Sequence, residues 1–160
     1  MPLPTERPPG LDSVWTTRLI KYGARINTRV FQLSRGRVGG TWRIGGGWKK
    51  PVPILLLDHV GRKSGETFTA PLVYLRDGER LVVVASQGGL PKDPQWLHNL
   101  RARPDTTVLL KGGRRQVRAR VADPEERATL WPRLVDLYAD FDTYQSWTDR
   151  QIQVVVLDPR

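Results

Sequence analysis

The 160 residues suit one domain with a real core, and 39% hydrophobic with 26% charged residues fits an ordinary globule. The chain has no cysteine and only His59 and His98 as imidazoles, which excludes disulfides, thiolate zinc, a cysteine nucleophile and a histidine-rich metal centre. The net charge of +10 is concentrated in residues 1–50, which carry ten Lys/Arg against two acids, and such a balance favours an anionic partner: nucleic acid, an acidic membrane surface or a phosphorylated ligand.

Neither a spanning apolar run nor a secretory leader is read, so a cytoplasmic location is expected. Residues 1–10 are proline-rich and predict an extended or disordered tail. A helix should follow, capped by Asp12 or Ser13, because Leu11, Trp15, Leu19, Tyr22, Ile26 and Val30 recur at steps of three and four. Arg18, Lys21, Arg25 and Arg29 flank that stripe. Two readings stay open. The helix packs on its own domain, or it lies peripherally on the inner face of an anionic membrane. Residues 34–50, "SRGRVGGTWRIGGGWKK", predict a flexible connector. Its tryptophans can stack on single-stranded nucleic acid, but no folded nucleic-acid signature accompanies them, so no such partner is expected. Residues 1–50 thus form an accessory segment and 51–160 the cofactor-binding domain.

From Pro51 the texture is that of strands. "PILLLDHV" is a continuous apolar run of buried-strand length. "FTAPLVYLR" and "RLVVVAS" flank a turn at Asp77-Gly78. "TTVLLK" and "RRQVRARVA" flank Gly112-Gly113, and Val117, Ala119 and Val121 alternate with Arg118 and Arg120. "IQVVVLD" is a sixth strand. Between them, Asp93-Pro94 should cap a helix over "PQWLHNLRA". Asp123-Pro124 should start another, with Glu126 reaching back in a capping box. Pro132 should break or kink that helix, so that "PRLVDLYADF" begins a second piece. This order suggests a small antiparallel barrel with helices at its rim.

Three segments can carry chemistry. The turn "GRKSG" is either a solvated β-turn or an anion nest, in which glycines let backbone N–H groups converge while Arg62, Lys63 and Ser64 add donors. In "ASQGGLPKDPQW" a glycine pair follows a strand end and precedes a helix start, where backbone approaches a ligand closely; Trp96 there is either core or a ring cover. In "LYADFDTYQSWTDR", Tyr138, Phe141, Tyr144 and Trp147 recur every three residues, as a packing face or an aromatic pocket wall. No nucleophile elbow or metal motif is present. Anion sites and aromatics without a nucleophile point to a bound cofactor.

Together, "VGRKSGE…PLVYLRDGERLVVVASQGG…KDPQWLHNL", "WPRLVDLYADFDTYQSWTDR" and the closing strand resemble the deazaflavin (coenzyme F420)-dependent nitroreductase family over residues 50–160. The resemblance implies a mainly β fold with helices (α+β): a split β-barrel like that of FMN-binding proteins, with about six antiparallel strands. It implies reduced F420, a 5-deazaflavin with a phosphate and a glutamate tail, passing a hydride to a flat hydrophobic acceptor such as a quinone, nitroaromatic or enone. Cofactor contacts are implied at Gly61, Arg62, Lys63 and Ser64, where the anionic parts would lie. They continue at Phe68, Thr69, Ala70, Pro71, Leu72 and Val73, at Val84, Ala85, Ser86 and Gln87, at Gln95, Trp96, Leu97, His98 and Asn99, and at Phe141. Pro71, Ala85 and Trp96 would neighbour the ring system. On the acceptor side lie Ser86, Tyr138, Phe141 and Tyr144, with Tyr138 or Ser86 supporting protonation. The chain departs from the family pattern at Val73 and Phe141, where the family has tyrosine, and at Gln87, where it has lysine. Those departures imply a changed substrate polarity. A homodimer is compatible with such barrels. The rival readings are an FMN-binding split-barrel oxidoreductase and a non-catalytic binder of cofactor or membrane.

Overall fold

The computed structural model describes residues 6, 9, 29, 31–34, 40–42 and 50–160. The proline-rich tail, the apolar stripe with its Asp12 or Ser13 cap, and most of the connector lie outside the described residues. The strands are β1 Thr41–Trp42, β2 Val52–Val60, β3 Thr67–Asp77, β4 Arg80–Val84, β5 Asp105–Leu110, β6 Gly113–Val121 and β7 Val154–Pro159. The helices are α1 Gln95–Ala102, α2 Pro124–Leu137 and α3 Asp140–Ser146, and Arg29 and residues 31–33 are also helical. The sheet order is β1-β2-β3-β4-β7-β6-β5, and β5 pairs back onto β2. Every pairing is antiparallel. Strands β2 to β7 therefore close into the six-stranded split barrel expected from the sequence.

The side-chain period of two sorts the strands. Leu55 and Leu57 of β2, Leu81 and Val83 of β4, Val108 and Leu110 of β5, Val117 and Ala119 of β6, and Val155 and Leu157 of β7 share the barrel interior. Trp96, Leu97 and Leu100 of α1 join that cluster, so the helix stops the barrel where β2 ends. On the outside, Val82 and Val84 of β4 and Val154 and Val156 of β7 pack against Leu130 and Leu134 of α2 and Phe141 of α3. Burial on both faces explains why β4 and β7 read as unbroken apolar runs. The same holds for β2, whose outward Leu56 meets Leu109 and Phe31, the latter 1% exposed. By contrast β6 turns Arg114, Arg118 and Arg120 to solvent, where they pair with Asp58, Asp105, and Glu126 with Asp158.

Four expectations are corrected. Thr41 and Trp42, expected in a flexible connector, form β1 against Pro53 and Val52. The pairing of β2 with β3 begins only at Ile54, so the first backbone groups of β2 need another partner. Asp93 does not cap α1, which starts without a side-chain cap; its carboxylate is drawn to Arg150 at 3.0 Å and Arg101 at 3.5 Å. Asp123 does cap α2, accepting from the Glu126 N–H at 2.8 Å. The Glu126 carboxylate, however, does not close a capping box, because Arg120 holds it at 2.6 Å and Arg80 at 3.1 Å. Pro132 does not break α2, which runs through to Leu137. The carbonyl left without an N–H belongs to exposed Ala128 and is open to water, while buried Leu130 and Leu134 anchor the helix on both sides of the proline.

Candidate functional site

The turn after β2 is held by Gly61 N–H donating to Glu66 O and Gly65 N–H donating to Gly61 O, both at 2.8 Å. A Cβ on Gly61 would lie 2.4 Å from Ser64 Oγ and 3.0 Å from the Phe68 ring. Gly65 has φ +73°, a left-handed value that favours glycine. Beside this turn lies a groove of about 1060 Å³. Its walls come from the turn, the end of β2, the start of β3, the first half of α1, and Arg29 with Gln32. Arg29, Arg62 and Lys63 line it, and no carboxylate is among the described lining residues. The nearby Asp58 is neutralised from outside, accepting from Thr69 Oγ1 at 2.9 Å and Arg114 at 3.1 Å.

Asn99 organises the floor. Its Oδ1 accepts from the Arg62 backbone N–H at 3.1 Å and from Arg62 Nη1 at 3.0 Å, and Gln95 Oε1 accepts from the same Nη1 at 2.9 Å. Its Nδ2 lies 2.9 Å from His59 Nδ1. With Oδ1 committed to Arg62, Nδ2 is the donor, Nδ1 the acceptor, and the imidazole hydrogen sits on Nε2. Burial holds the His59 pKa below its ordinary value, against the opposing pull of Asp58. His59 also stacks on Phe68, with centroids 5.6 Å apart.

This geometry narrows the nest. The N–H groups of Gly61, Arg62, Gly65 and Glu66 already have acceptors, the last being Ser64 Oγ at 3.2 Å. Free to meet an anion, among the described residues, are the Lys63 and Ser64 N–H groups, the Lys63 ammonium, the rest of the Arg62 fork and the Ser64 hydroxyl hydrogen. The site is therefore a cation pair with two amides rather than a full backbone cradle.

Of the residues singled out in the sequence, Gly61, Arg62, Lys63, Ser64, Phe68, Thr69, Pro71, Gln95 and Asn99 line the groove together. Ala70, Leu72, Ala85, Trp96 and Leu97 lie in or against the barrel interior. Val73, Val84, Tyr138, Phe141 and Tyr144 belong to the outer cluster under α2 and α3. His98 is half-buried on α1 outside the groove lining. The two regions share a strand face. Thr67, Thr69 and Pro71 line the groove, and Val73, next on that face of β3, packs into the aromatic cluster. In that cluster Tyr138 and Phe141 meet edge to face at 5.1 Å, and Tyr138 lies 6.4 Å from Tyr144. Burial, reinforced by Tyr144, pushes the Tyr138 phenol far above its ordinary pKa, and burial raises Tyr144 too. Both keep their hydrogens at neutral pH and can donate hydrogen bonds.

Ser86 and Gln87 occupy a clamped loop. Arg150 donates to Ala85 O at 3.1 Å, Ser86 O at 2.9 Å and Leu90 O at 2.9 Å. Gln87 has φ +45°, the only non-glycine in the left-handed region among the described residues. Sequence reasoning missed Arg29, Gln32, His59 and Thr67 as groove residues. His59 reads there as one more strand position, although its place two residues before the turn was a usable signal. Arg29 reads as a solvated flank.

A family model described as F420H(2)-dependent quinone reductase matches residues 23–159. Rv3178 of Mycobacterium tuberculosis, provisionally named an F420H(2)-dependent quinone reductase, is 55% identical over 118 residues, covering 74% of this chain and 99% of that one. Two solved structures each superpose with a TM-score of 0.62 at 34% identity over 66% of this chain. One, the F420-H2 dependent reductase FDR-A, is covered to 94% of its length, and the other, titled a domain-swapped dimer, to 80%. The chain belongs to the F420H(2)-dependent quinone reductase family.

Proposed function

We propose that the groove beside the GRKSG turn grips the phosphate and tail of reduced F420, and that the quinone is held beyond Pro71, along the outer face of β3. One observation carries this reading: a groove lined by Arg29, Arg62 and Lys63 with no described carboxylate, in a chain whose family uses that anionic cofactor. The residues fit the group, since unspent donors stand on the turn, no carboxylate is among the described lining residues, and Asp58 behind them is held by Arg114. When bound, F420H2 supplies the hydride. The protein's own work is to hold and orient the reactants and to exclude water. Arg62, Lys63 and Ser64 fix the anionic end. Phe68, 44% exposed and backed on one face by His59, offers a flat apolar surface. Tyr138, with Ser86 or Tyr144, donates a hydrogen bond to the acceptor oxygen as it gains electron density.

Residues 1–50 are, in this reading, an accessory segment, of which Arg29 and Gln32 line the groove and Phe31 docks on the barrel of residues 51–160. The chain forms a homodimer, supported by the dimeric neighbour, and sedimentation velocity tests this. Leu33, 85% exposed on the same helical stretch as Arg29, supports peripheral contact with an anionic membrane, tested by liposome co-sedimentation with and without residues 1–33. Among the described residues no helix is long and apolar enough to cross a membrane. The central test is tryptophan quenching, for which the chain carries six indoles. F420 should quench at micromolar concentration. Quenching by FMN alone would overturn the proposal.

A further inference from the structure

Asn99 stands between two groups that compete for one oxygen. Its Oδ1 serves the Arg62 backbone N–H at 3.1 Å and the Arg62 guanidinium at 3.0 Å, while its Nδ2 serves His59 Nδ1 at 2.9 Å. Asn99 is 4% exposed and His59 8%, so neither can exchange these partners freely for water. The arrangement is satisfied only while His59 is neutral. A proton added at Nδ1 sets two donors face to face. The amide relieves this by turning over, which brings Oδ1 to His59 and Nδ2 to Arg62. Neither the Arg62 guanidinium nor the Arg62 backbone N–H can accept, so both lose Asn99 and are left for the anionic ligand, the guanidinium retaining only Gln95 Oε1 at 2.9 Å.

The charges around His59 set when this happens. Asp58, adjacent on β2, is held by Thr69 of β3 and Arg114 of β6. The turn contributes Arg62 and Lys63, and Arg29 lines the same groove. From β3 comes neutral Phe68, and from α1 neutral Asn99 and Gln95. Burial holds the imidazole pKa below its ordinary value in the free protein, against the pull of Asp58. A polyanion entering the groove supplies the opposite charge that would stabilise the imidazolium.

We infer that His59 and Asn99 form a proton-coupled relay, in which one proton taken from solvent at His59 Nδ1 turns the Asn99 amide over and releases the Arg62 guanidinium onto the anionic ligand. This rests on the reading of the groove as the site of the cofactor's anionic end. Affinity then rises as pH falls through the interval between the free and bound His59 pKa values, by up to about tenfold per pH unit. Replacing Asn99 by Asp removes the competition, since a carboxylate accepts from both neighbours, so Asn99→Asp should protonate His59 before any ligand arrives.

The experiment measures the dissociation constant of oxidised F420 by fluorescence from about pH 6 to about pH 8, for the wild type and His59→Gln. Ligand ionisation cancels in the ratio of the two constants, which should grow at least about fivefold toward the acid end. Imidazole 15N spectra of the wild type provide a readout without any variant, with only His98 as a second signal. His59 Nδ1 should read as unprotonated in the free protein and protonated in the complex at neutral pH, and already protonated in free Asn99→Asp. A flat ratio with Nδ1 unprotonated in the complex overturns the relay and leaves the groove reading standing. Failure of the wild type to bind F420 at any of these pH values overturns the groove reading and the relay with it.

Discussion

Replacing Arg62 by Ala tests the cofactor grip with little risk to the turn. The Arg62 backbone N–H bond to Asn99 survives the change, as do the Gly61–Glu66 and Gly61–Gly65 bonds that set the turn's shape. Only the guanidinium is lost, and its partners in the free protein are the neutral oxygens of Gln95 and Asn99. A charge-assisted hydrogen bond to an anion contributes about 1.5–3 kcal/mol when sheltered. Arg62 is exposed, so solvent screening reduces the effect to about tenfold in affinity. Lys63, exposed and without a partner among the described residues, should cost about threefold. If they meet different oxygens, the double variant should lose about thirtyfold, with roughly additive effects. The assay is steady-state oxidation of F420H2 with a water-soluble quinone, with fluorescence titration for binding and circular dichroism as the folding control. KM for F420H2 should rise far more than kcat falls, and about 0.5 M salt should erase most of the difference from wild type. A double variant that binds within about twofold of wild type would refute the reasoning, as would a fall in kcat at unchanged KM.

Arg150→Ala should destabilise the fold by about 3–5 kcal/mol in urea unfolding, because it leaves three carbonyls without their donor and Asp93 with only the more distant Arg101; a loss under about 1 kcal/mol would count against the clamp. Arg150→Lys should recover little, since one ammonium cannot span that set. Glu126 has its pKa depressed chiefly by its hydrogen bond to Arg120, so its stabilising contribution is full above the ordinary carboxylate range and is lost as pH falls through the folded value. Glu126→Gln should therefore flatten the acid side of the stability profile, and urea midpoints that run parallel to wild type would exclude this role. Tyr138→Phe should lower kcat with quinone by about ten- to a hundredfold with unchanged F420 affinity; an unchanged kcat would remove the phenol from the chemistry.

The strands were legible because their patterns are local. The alternation in β6 and the unbroken runs of β4 and β7 report directly how many faces are buried. The misreadings are long-range. Asp93 looks like a cap until Arg150, 57 residues away, draws its carboxylate off. Glu126 looks like half of a capping box until Arg120 and Arg80 compete for it. Pro132 looks like a break because local rules count one lost hydrogen bond and cannot count what Leu130 and Leu134 bury. The turn at Gly61–Gly65 stood out in the sequence, and Gln95 and Asn99 came with the resemblance, whereas His59 did not. His59, Gln95 and Asn99 meet only after α1 folds onto the barrel end, and Arg29 arrives from a separate segment.

The barrel closes where β5 meets β2, through Leu56 with Leu109 and Leu57 with Val108, whereas β3 is in register with β2 from Ile54 to Val60. That seam is short, and Phe31 lies across its outer side on Leu56 and Leu109. Phe31 thereby sits as a latch over that part of the ring of hydrogen bonds. Native-state hydrogen exchange should find the amides of Leu56, Val108 and Leu109 opening before those of β4 and β7, and Phe31→Ala should speed the seam alone. Because the freed edge of β2 runs straight into His59 and the anion-binding turn, an opening there would slacken the groove as well as the barrel.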